Sequence, residues 1–184
     1  MAIDPWADVD TDDSSIEGFD ESPQAVSYDR PALRQYVGRL VLFRPTAFEP
    51  KAPGVEPGTT QARITADIVI LDGETITAKV DQEGDETPLD SPVETGINAT
   101  LQEDCFISSK GLVPWLKPKL RDPNRDRKPW VLGRIYRTPA RKAGQSKGYT
   151  LGDPNRPAGT PPFTPEDAKK AQAWLKAHPS PTNF

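Results

Sequence analysis

Twenty-one prolines among 184 residues divide this chain into short segments, and they constrain its fold more than any other feature. Proline fixes φ and lacks an N–H, so it interrupts helices and is confined to edges and turns in sheets. Apolar residues make up only 35% of the chain, which fits a modest core joined to long unstructured segments. The length allows one domain of ordinary size with tails.

Between these breaks lie β-rich runs bounded by turn residues, which is the pattern of short strands. Residues 81–96 are acidic and rich in turn formers, and residues 45–60 contain four prolines and two glycines, so both are predicted to be loops. Residues 75–80 form either a third strand or the continuation of a hairpin. The strands are predicted at residues 37–44 (V-G-R-L-V-L-F-R), 63–71 (R-I-T-A-D-I-V-I-L), 99–108, 130–137 (W-V-L-G-R-I-Y-R) and 148–151.

Helical periodicity is confined to two places. Leucines recur at i, i+4 and i+8 in residues 109–120, which predicts a helix, although two prolines in this run favour a short one. Near the C-terminus, Thr164 and Pro165 form a helix start with an N-cap and an N1 proline. We expect that helix to end near Ala177, with Trp174 and Leu175 available to dock it on the domain.

The formal net charge of −4 hides three charged blocks. Residues 1–30 carry −8 and residues 64–104 carry −10, whereas residues 110–149 carry +10. Segregation of this kind indicates self-shielding, or a partner that carries one sign of charge.

The basic block, residues 110–149, also holds two Trp and two Tyr. Cations neutralise phosphates without regard to sequence, and aromatic faces stack unpaired bases, so the block predicts binding of single-stranded nucleic acid. The alternative is a solvated basic face with the two tryptophans in the core. The predicted backbone ligands are Arg39, Arg44, Arg63, Lys117, Lys119, Arg134, Arg137, Arg141 and Lys142, and the predicted stacking residues are Trp115, Trp130, Tyr136 and Tyr149.

Strand alternation places part of this set on one face. Trp130, Arg134 and Tyr136 share a face of the strand at 130–137, and together they could line a groove. Leu132 lies on the same face, which suits a core equally well.

Residues 1–32 form an acidic segment with scattered apolar residues, and such a segment cannot bury enough surface to order itself. Two interpretations remain open. The segment is either a solubilising tail or an interaction tail, a flexible polyanion that occupies the basic groove or docks on a replication or virion protein through residues 1–30.

Enzyme and metal signatures are missing from the sequence. There is no nucleotide-binding glycine motif, no C-x-x-C and no H-E-x-x-H, so we expect no catalytic residue, no cofactor and no metal. Cys105 is the single cysteine, which excludes an intramolecular disulfide, favours a reducing compartment and is expected to be a small buried apolar residue. The carboxylates of residues 81–86 are expected to be solvated rather than to hold a cation, and His178 is expected at a helix C-terminus. The sequence contains no run of 18 apolar residues that could span a membrane, and its acidic N-terminus lacks the hydrophobic core of a secretory signal.

The order of elements, with V-G-R-L-V-L-F-R, R-I-T-A-D-I-V-I-L, a helix containing L-V-P-W-L and W-V-L-G-R-I-Y-R, places one helix between the third and fourth strands of a small barrel. This arrangement resembles the OB-fold of bacteriophage single-stranded DNA-binding proteins. The resemblance implies a mainly β fold, a five-stranded antiparallel barrel with one inserted helix and a C-terminal helix. In that family the acidic tail is C-terminal, whereas here the acidic block is N-terminal and the chain ends in Phe184 without acids.

The domains expected from these patterns are an acidic tail at 1–32, the OB-fold-like domain at 33–152, and a linker, helix and short tail at 153–184. The resemblance implies a sequence-independent single-stranded DNA-binding protein of phage replication or recombination, acting in the host cytoplasm. RNA in place of DNA, and oligomerisation, both remain open. The alternative is a virion structural or assembly protein that binds neighbouring subunits through its charged and Pro-rich arms.

Overall fold

The computed structural model describes residues 30–54, 56–139, 143 and 148–179. The predicted tail before Arg30, together with Arg141 and Lys142, lies outside the described residues. The strands are β1 (Leu40–Pro53), β2 (Thr60–Ile70), β3 (Ile76–Val80), β4 (Glu86–Val93), β5 (Gln102–Ile107), β6 (Val131–Arg137) and β7 (Tyr149–Leu151); the helices are α1 (Val113–Leu116) and α2 (Pro165–Ala177); and 3₁₀ segments span Leu33–Tyr36, Gly96–Asn98 and Lys117–Arg121.

The main sheet has five strands in the order β5-β2-β1-β6-β7, and every neighbouring pair is antiparallel. β3 and β4 form a separate antiparallel pair. The prediction of a mainly β fold around five antiparallel strands is therefore confirmed. In the described part of the chain β5 and β7 are the two edges of the sheet, and closure into a barrel stays a prediction.

Alternation along the strands gives the main sheet two apolar faces. Val41 and Phe43 point into a layer that also buries Leu112 and Leu116 of the α1 region, whereas Leu40 and neighbouring leucines point into a second layer. The first layer is closed by α1, the Leu33–Tyr36 turn and the β3–β4 hairpin, and the second by α2. Full burial of an aliphatic or aromatic side chain contributes about 1.5–3 kcal/mol, so these two layers hold the helices in place.

The predicted loop at residues 45–60 is wrong over most of its length, because β1 continues to Pro53. The prolines are tolerated because β6 pairs only with the first part of β1, Leu40 to Phe43, so the remainder is an edge on that side. Two irregularities in the register with β2, between Pro45 and Ala47 and between Glu49 and Ala52, accommodate the proline-rich stretch. The turn itself is confined to the residues between β1 and β2.

The predicted loop at residues 81–96 is wrong for residues 86–93, because β4 occupies them and pairs with β3. Leu89 and Val93 anchor this strand in the core although the rest of it is exposed. The actual turn is short. The Asp81 carboxylate accepts hydrogen bonds from the backbone N–H groups of Glu83 and Asp85 at 3.0 and 2.8 Å.

The helix predicted at residues 109–120 is broken into a single α-turn and a 3₁₀ segment. Pro114 lies in the first turn of α1, and Pro118 lies in the first turn of the 3₁₀ segment. Because proline lacks the N–H that a continuous helix would need, the two pieces do not form one helix. The C-terminal helix begins as expected. Thr164 caps it by accepting the Asp167 N–H at 3.2 Å, and Asp167 accepts the Thr164 N–H at 2.9 Å.

Candidate nucleic-acid interface

The face of β6 that was predicted to line a groove carries α2. Trp130 meets Trp174 of α2 edge to face, with ring centroids 5.7 Å apart, and Leu132 packs in the same layer. Trp174 is buried and donates its indole N–H to the Ala99 carbonyl at 3.3 Å. The Arg44 guanidinium lies over the Trp130 ring, 5.1 Å from its centroid. Trp130 is therefore a packing residue, in contact with α2 and Arg44.

Arg134, on the same face, is held by the protein itself. Its guanidinium contacts Asp72 and Asp167 at 2.8 Å each and donates to the Gly38 carbonyl at 2.6 Å. Partial burial works against its charge, but the hydrogen bonds and charges of Asp72 and Asp167 outweigh this and raise the pKa of Arg134. For Asp167 burial acts upward, yet hydrogen bonds from Thr164 and Arg134 lower the pKa of its carboxyl below the ordinary value. Arg134 thus joins β6, α2 and the turn after β2.

Three more of the predicted backbone ligands are paired with acids. Arg44 contacts Asp67 at 2.7 Å, Arg63 contacts Glu49 at 2.8 Å, and Lys119 contacts Asp122 at 3.0 Å. Arg63 also lies over the Phe106 ring at 4.2 Å, and Arg39 donates to the Glu74 carbonyl at 2.6 Å.

Cations that form no ion pair within the described ranges cluster between α1 and β6. Arg121, Arg127 and Lys128 are exposed there. The loop that carries them is ordered by backbone bonds, since the N–H groups of Arg127 and Lys128 both donate to the Asn124 carbonyl at 3.0 and 2.9 Å. These residues were not singled out from the sequence, although the density of basic residues around Asp122 and Asp126 was the available signal.

This basic loop is fastened to the distal half of β1. Lys117 lies 4.2 Å from the centroid of the Phe48 ring, and Arg125 donates to the Thr46 carbonyl at 3.3 Å. The loop is therefore presented at a fixed place on the sheet. We call residues 117–128 the basic segment.

Trp115 lies two residues before the basic segment and is the most exposed of the described tryptophans, at 40%. Its indole N–H donates to the Thr150 hydroxyl at 3.1 Å, which fixes the ring beside β7. Gly111 lies so close to β7 that an added Cβ would overlap the Tyr149 carbonyl oxygen. The α1 region and β7 are thus in tight contact.

The other predicted aromatics are half-buried. Tyr149 packs on the first core layer, and the Arg137 guanidinium lies 4.7 Å from its ring centroid. Tyr136 lines a small cleft with Phe163 and Arg156.

A second cavity, about 240 Å³ in volume, lies near the start of the described chain. Arg30 there donates to the sulfur of Cys105 at 2.7 Å, and burial is the main cause that raises the pKa of this thiol to about 11. A thiol with that pKa stays protonated at neutral pH and is a poor nucleophile. Burial also raises the pKa of Tyr36, whose hydroxyl donates to Gln102 at 2.9 Å.

In the part of the chain that the structure describes, no group of three or more His, Cys, Asp or Glu side chains is placed to hold a metal ion. None of the described helices is both long and apolar enough to cross a membrane. No protein-family model matches the chain. No curated protein and no solved structure is significantly similar to it.

Proposed function

We propose that this protein binds single-stranded nucleic acid without sequence preference, through the basic segment and Trp115. The observation that carries the proposal is their closeness in the chain: an exposed indole, fixed by Thr150, lies two residues before a segment with exposed cations that form no ion pair among the described residues. Cations that are not already neutralised can exchange counterions for phosphates. A fixed exposed ring can stack a base with little loss of side-chain entropy.

An OB-fold is part of this proposal. In chain order the strands of the main sheet are β1, β2, β5, β6 and β7, and α1 lies between the third and the fourth. That is the position of the inserted helix in the barrel expected from the sequence. The residues between β6 and β7 include Arg141 and Lys142, so this connection carries further positive charge.

The proposed interface is smaller than the set predicted from the sequence. Arg134 and Trp130 are left out because their contacts hold α2, and Arg44, Arg63 and Lys119 are left out because each already faces a carboxylate. The proposed backbone ligands are Lys117, Arg121, Arg125, Arg127 and Lys128, all within the basic segment.

A bacteriophage origin, a role in replication or recombination, and a partner for residues 1–30 belong to the same proposal. They are supported by the resemblance in element order and by the charge pattern, in which an acidic block of −8 accompanies a basic block of +10.

The test is binding to labelled oligonucleotides, single- and double-stranded, DNA and RNA, across a salt series. Single strands should bind more tightly than duplexes, and the logarithm of affinity should fall with the logarithm of salt by about 0.7 for each phosphate contact. Arg127→Ala and Lys128→Ala should each reduce that slope by about 0.7 and weaken all sequences alike. Lys169→Ala, an exposed cation on α2, is the control and should leave the slope unchanged.

If the wild type shows no preference for single strands and both variants bind like it, the nucleic-acid proposal fails. The virion structural role would then be the function to test.

A further inference from the structure

A groove of about 220 Å³ lies beside Trp115. One wall is formed by the indole of Trp115 with Thr138 and Thr150, and the other by the Gly- and Pro-rich residues 152–161. The groove is smaller than the roughly 300–1,000 Å³ of a pocket for a drug-sized ligand, so its occupant has to be small.

Both walls are held in place before any ligand arrives. The Trp115 ring is fixed by its bond to Thr150, and the loop is tied to β6 by two backbone bonds, from Gly152 N–H to the Arg134 carbonyl at 2.8 Å and from Arg134 N–H to the Pro162 carbonyl at 2.9 Å. Within the loop, Thr160 closes a turn on the Pro157 carbonyl through both its N–H and its hydroxyl, at 3.1 and 2.7 Å. A preformed site loses little entropy when it binds.

The lining combines flat apolar surface with a few polar groups. The indole face and the rings of Pro157 and Pro161 offer stacking surface, while the hydroxyls of Thr138 and Thr150 offer hydrogen bonds. The Asp153 carboxylate accepts its own loop's Asn155 N–H at 2.9 Å, so it is oriented and can also accept from an exocyclic amino group.

One cation stands at the rim of this groove. Arg156 is exposed, lines both this groove and the neighbouring cleft at Tyr136, and forms no ion pair with any described residue. Because Arg156 stands at the rim and Trp115 lies two residues before the basic segment, the occupant is expected to carry negative charge outside the groove and a flat ring inside it. A Pro-rich peptide would use the ring but not the cation.

We infer that the Trp115 groove takes one unstacked nucleotide of a bound single strand, with the base against the indole and the adjoining phosphate on Arg156. This inference rests on the proposed function and adds to it a single defined base position. It assigns Arg156 and Thr138 to the interface, neither of which was predicted from the sequence.

The experiment follows tryptophan fluorescence while the full-length protein is titrated with an oligo(dT) strand. Stacking quenches an indole, so the wild type should be quenched, whereas Trp115→Phe should bind with most of that quench gone. Trp115→Ala should bind about 5- to 150-fold more weakly with an unchanged salt slope, because a stacking contact releases no counterion. Arg156→Ala should instead lower the slope by about 0.7, and Arg156→Lys should restore it.

A second variant leaves the indole in place. Ala158→Phe fills the groove from the loop and should weaken binding as Trp115→Ala does, while Ala173→Phe, on an exposed position of α2, should bind like the wild type. Circular dichroism and an unfolding curve for each variant show whether it is folded. A mononucleotide, dTMP, serves as the second arm. If dTMP quenches Trp115 at concentrations where it displaces no oligonucleotide, the groove is a free-nucleotide site and the inference is overturned.

The two proposals fail in different ways. If the wild type binds no single strand at all, the proposed function fails and this inference fails with it. If the wild type binds but Trp115→Phe keeps the full quench and Ala158→Phe keeps the affinity, only the base position is overturned.

Discussion

Replacing Arg134 by Met tests whether this residue anchors the fold or binds a phosphate. Methionine keeps an apolar stem of similar reach and removes the charge. It leaves the carboxylate of Asp167, whose side chain is only 6% exposed, without its cation. It also removes the contact with Asp72, whose side chain is 21% exposed.

The magnitude follows from these two burials. A hydrogen bond to a charged and buried group contributes about 1.5–3 kcal/mol, whereas a partly exposed ion pair contributes about 0–1 kcal/mol. The two ranges add to about 1.5–4 kcal/mol, and we expect a loss of about 2–3 kcal/mol, because Asp167 keeps its hydrogen bond from the Thr164 N–H. For a chain of this size that corresponds to a fall in Tm of roughly 4–12 °C.

The assay is urea unfolding of the wild type, Arg134→Met and Lys169→Met, an exposed control that should change stability by less than about 0.5 kcal/mol. Arg134→Met should lower the midpoint with an unchanged m-value, and at a urea-free condition where it is folded its salt slope for single strands should equal that of the wild type. An unchanged unfolding free energy, or a slope reduced by about 0.7, would refute the reasoning that Arg134 is an anchor.

Three further predictions concern α2, the α1–β7 contact and the N-terminal block. The folded pKa of Asp167 lies below its unfolded value, so the stability that its carboxylate contributes is present above about pH 4 and is lost as pH falls through the folded pKa. Asp167→Asn should therefore be less stable than the wild type at pH 7. In acid unfolding it should lose less stability than the wild type between pH 5 and pH 3. Gly111→Ala should cost about 1–3 kcal/mol in urea unfolding, since its Cβ would overlap the Tyr149 carbonyl, while Gly84→Ala tests the opposite case of open space with a positive φ. Deleting residues 1–30 should tighten single-strand binding at low salt and not at high salt; equal affinities at low salt would make that block a solubiliser.

The main strands could be predicted from the sequence because local signals agree there. In β2 an apolar run ends at Asp72-Gly73, and in β6 the β-rich run follows a proline, so propensity and punctuation point to the same boundaries. The start of the C-terminal helix at Thr164 could be predicted equally well, since a cap residue and an N1 proline are adjacent there.

The two missed strand regions could not be predicted for a physical reason. Whether Pro45 or Pro50 ends a strand depends on which neighbour lies on each side, and the short reach of β6 along β1 is a tertiary fact. In the same way, Leu89 and Val93 give β4 only two buried anchors, too few to form a pattern.

The candidate site shows the same division. Basic composition singled out residues 110–149, but it could not separate Arg134, which forms ion pairs with two carboxylates from distant segments, from Lys128, which lies near Asp122 but forms no ion pair within the described residues. Likewise the sequence left open which tryptophan is core, and the answer depends on where α2 docks.

The distal half of β1 also bears on how copies of this protein behave towards one another at high concentration. An unpaired strand edge is a template for adding a strand from another molecule, and such additions lead to aggregation. Here Pro45, Pro50 and Pro53 offer no N–H to an incoming strand, and the Thr46 carbonyl is already occupied by Arg125. The same arginine that fastens the basic segment therefore helps to keep neighbouring copies from fusing edge to edge.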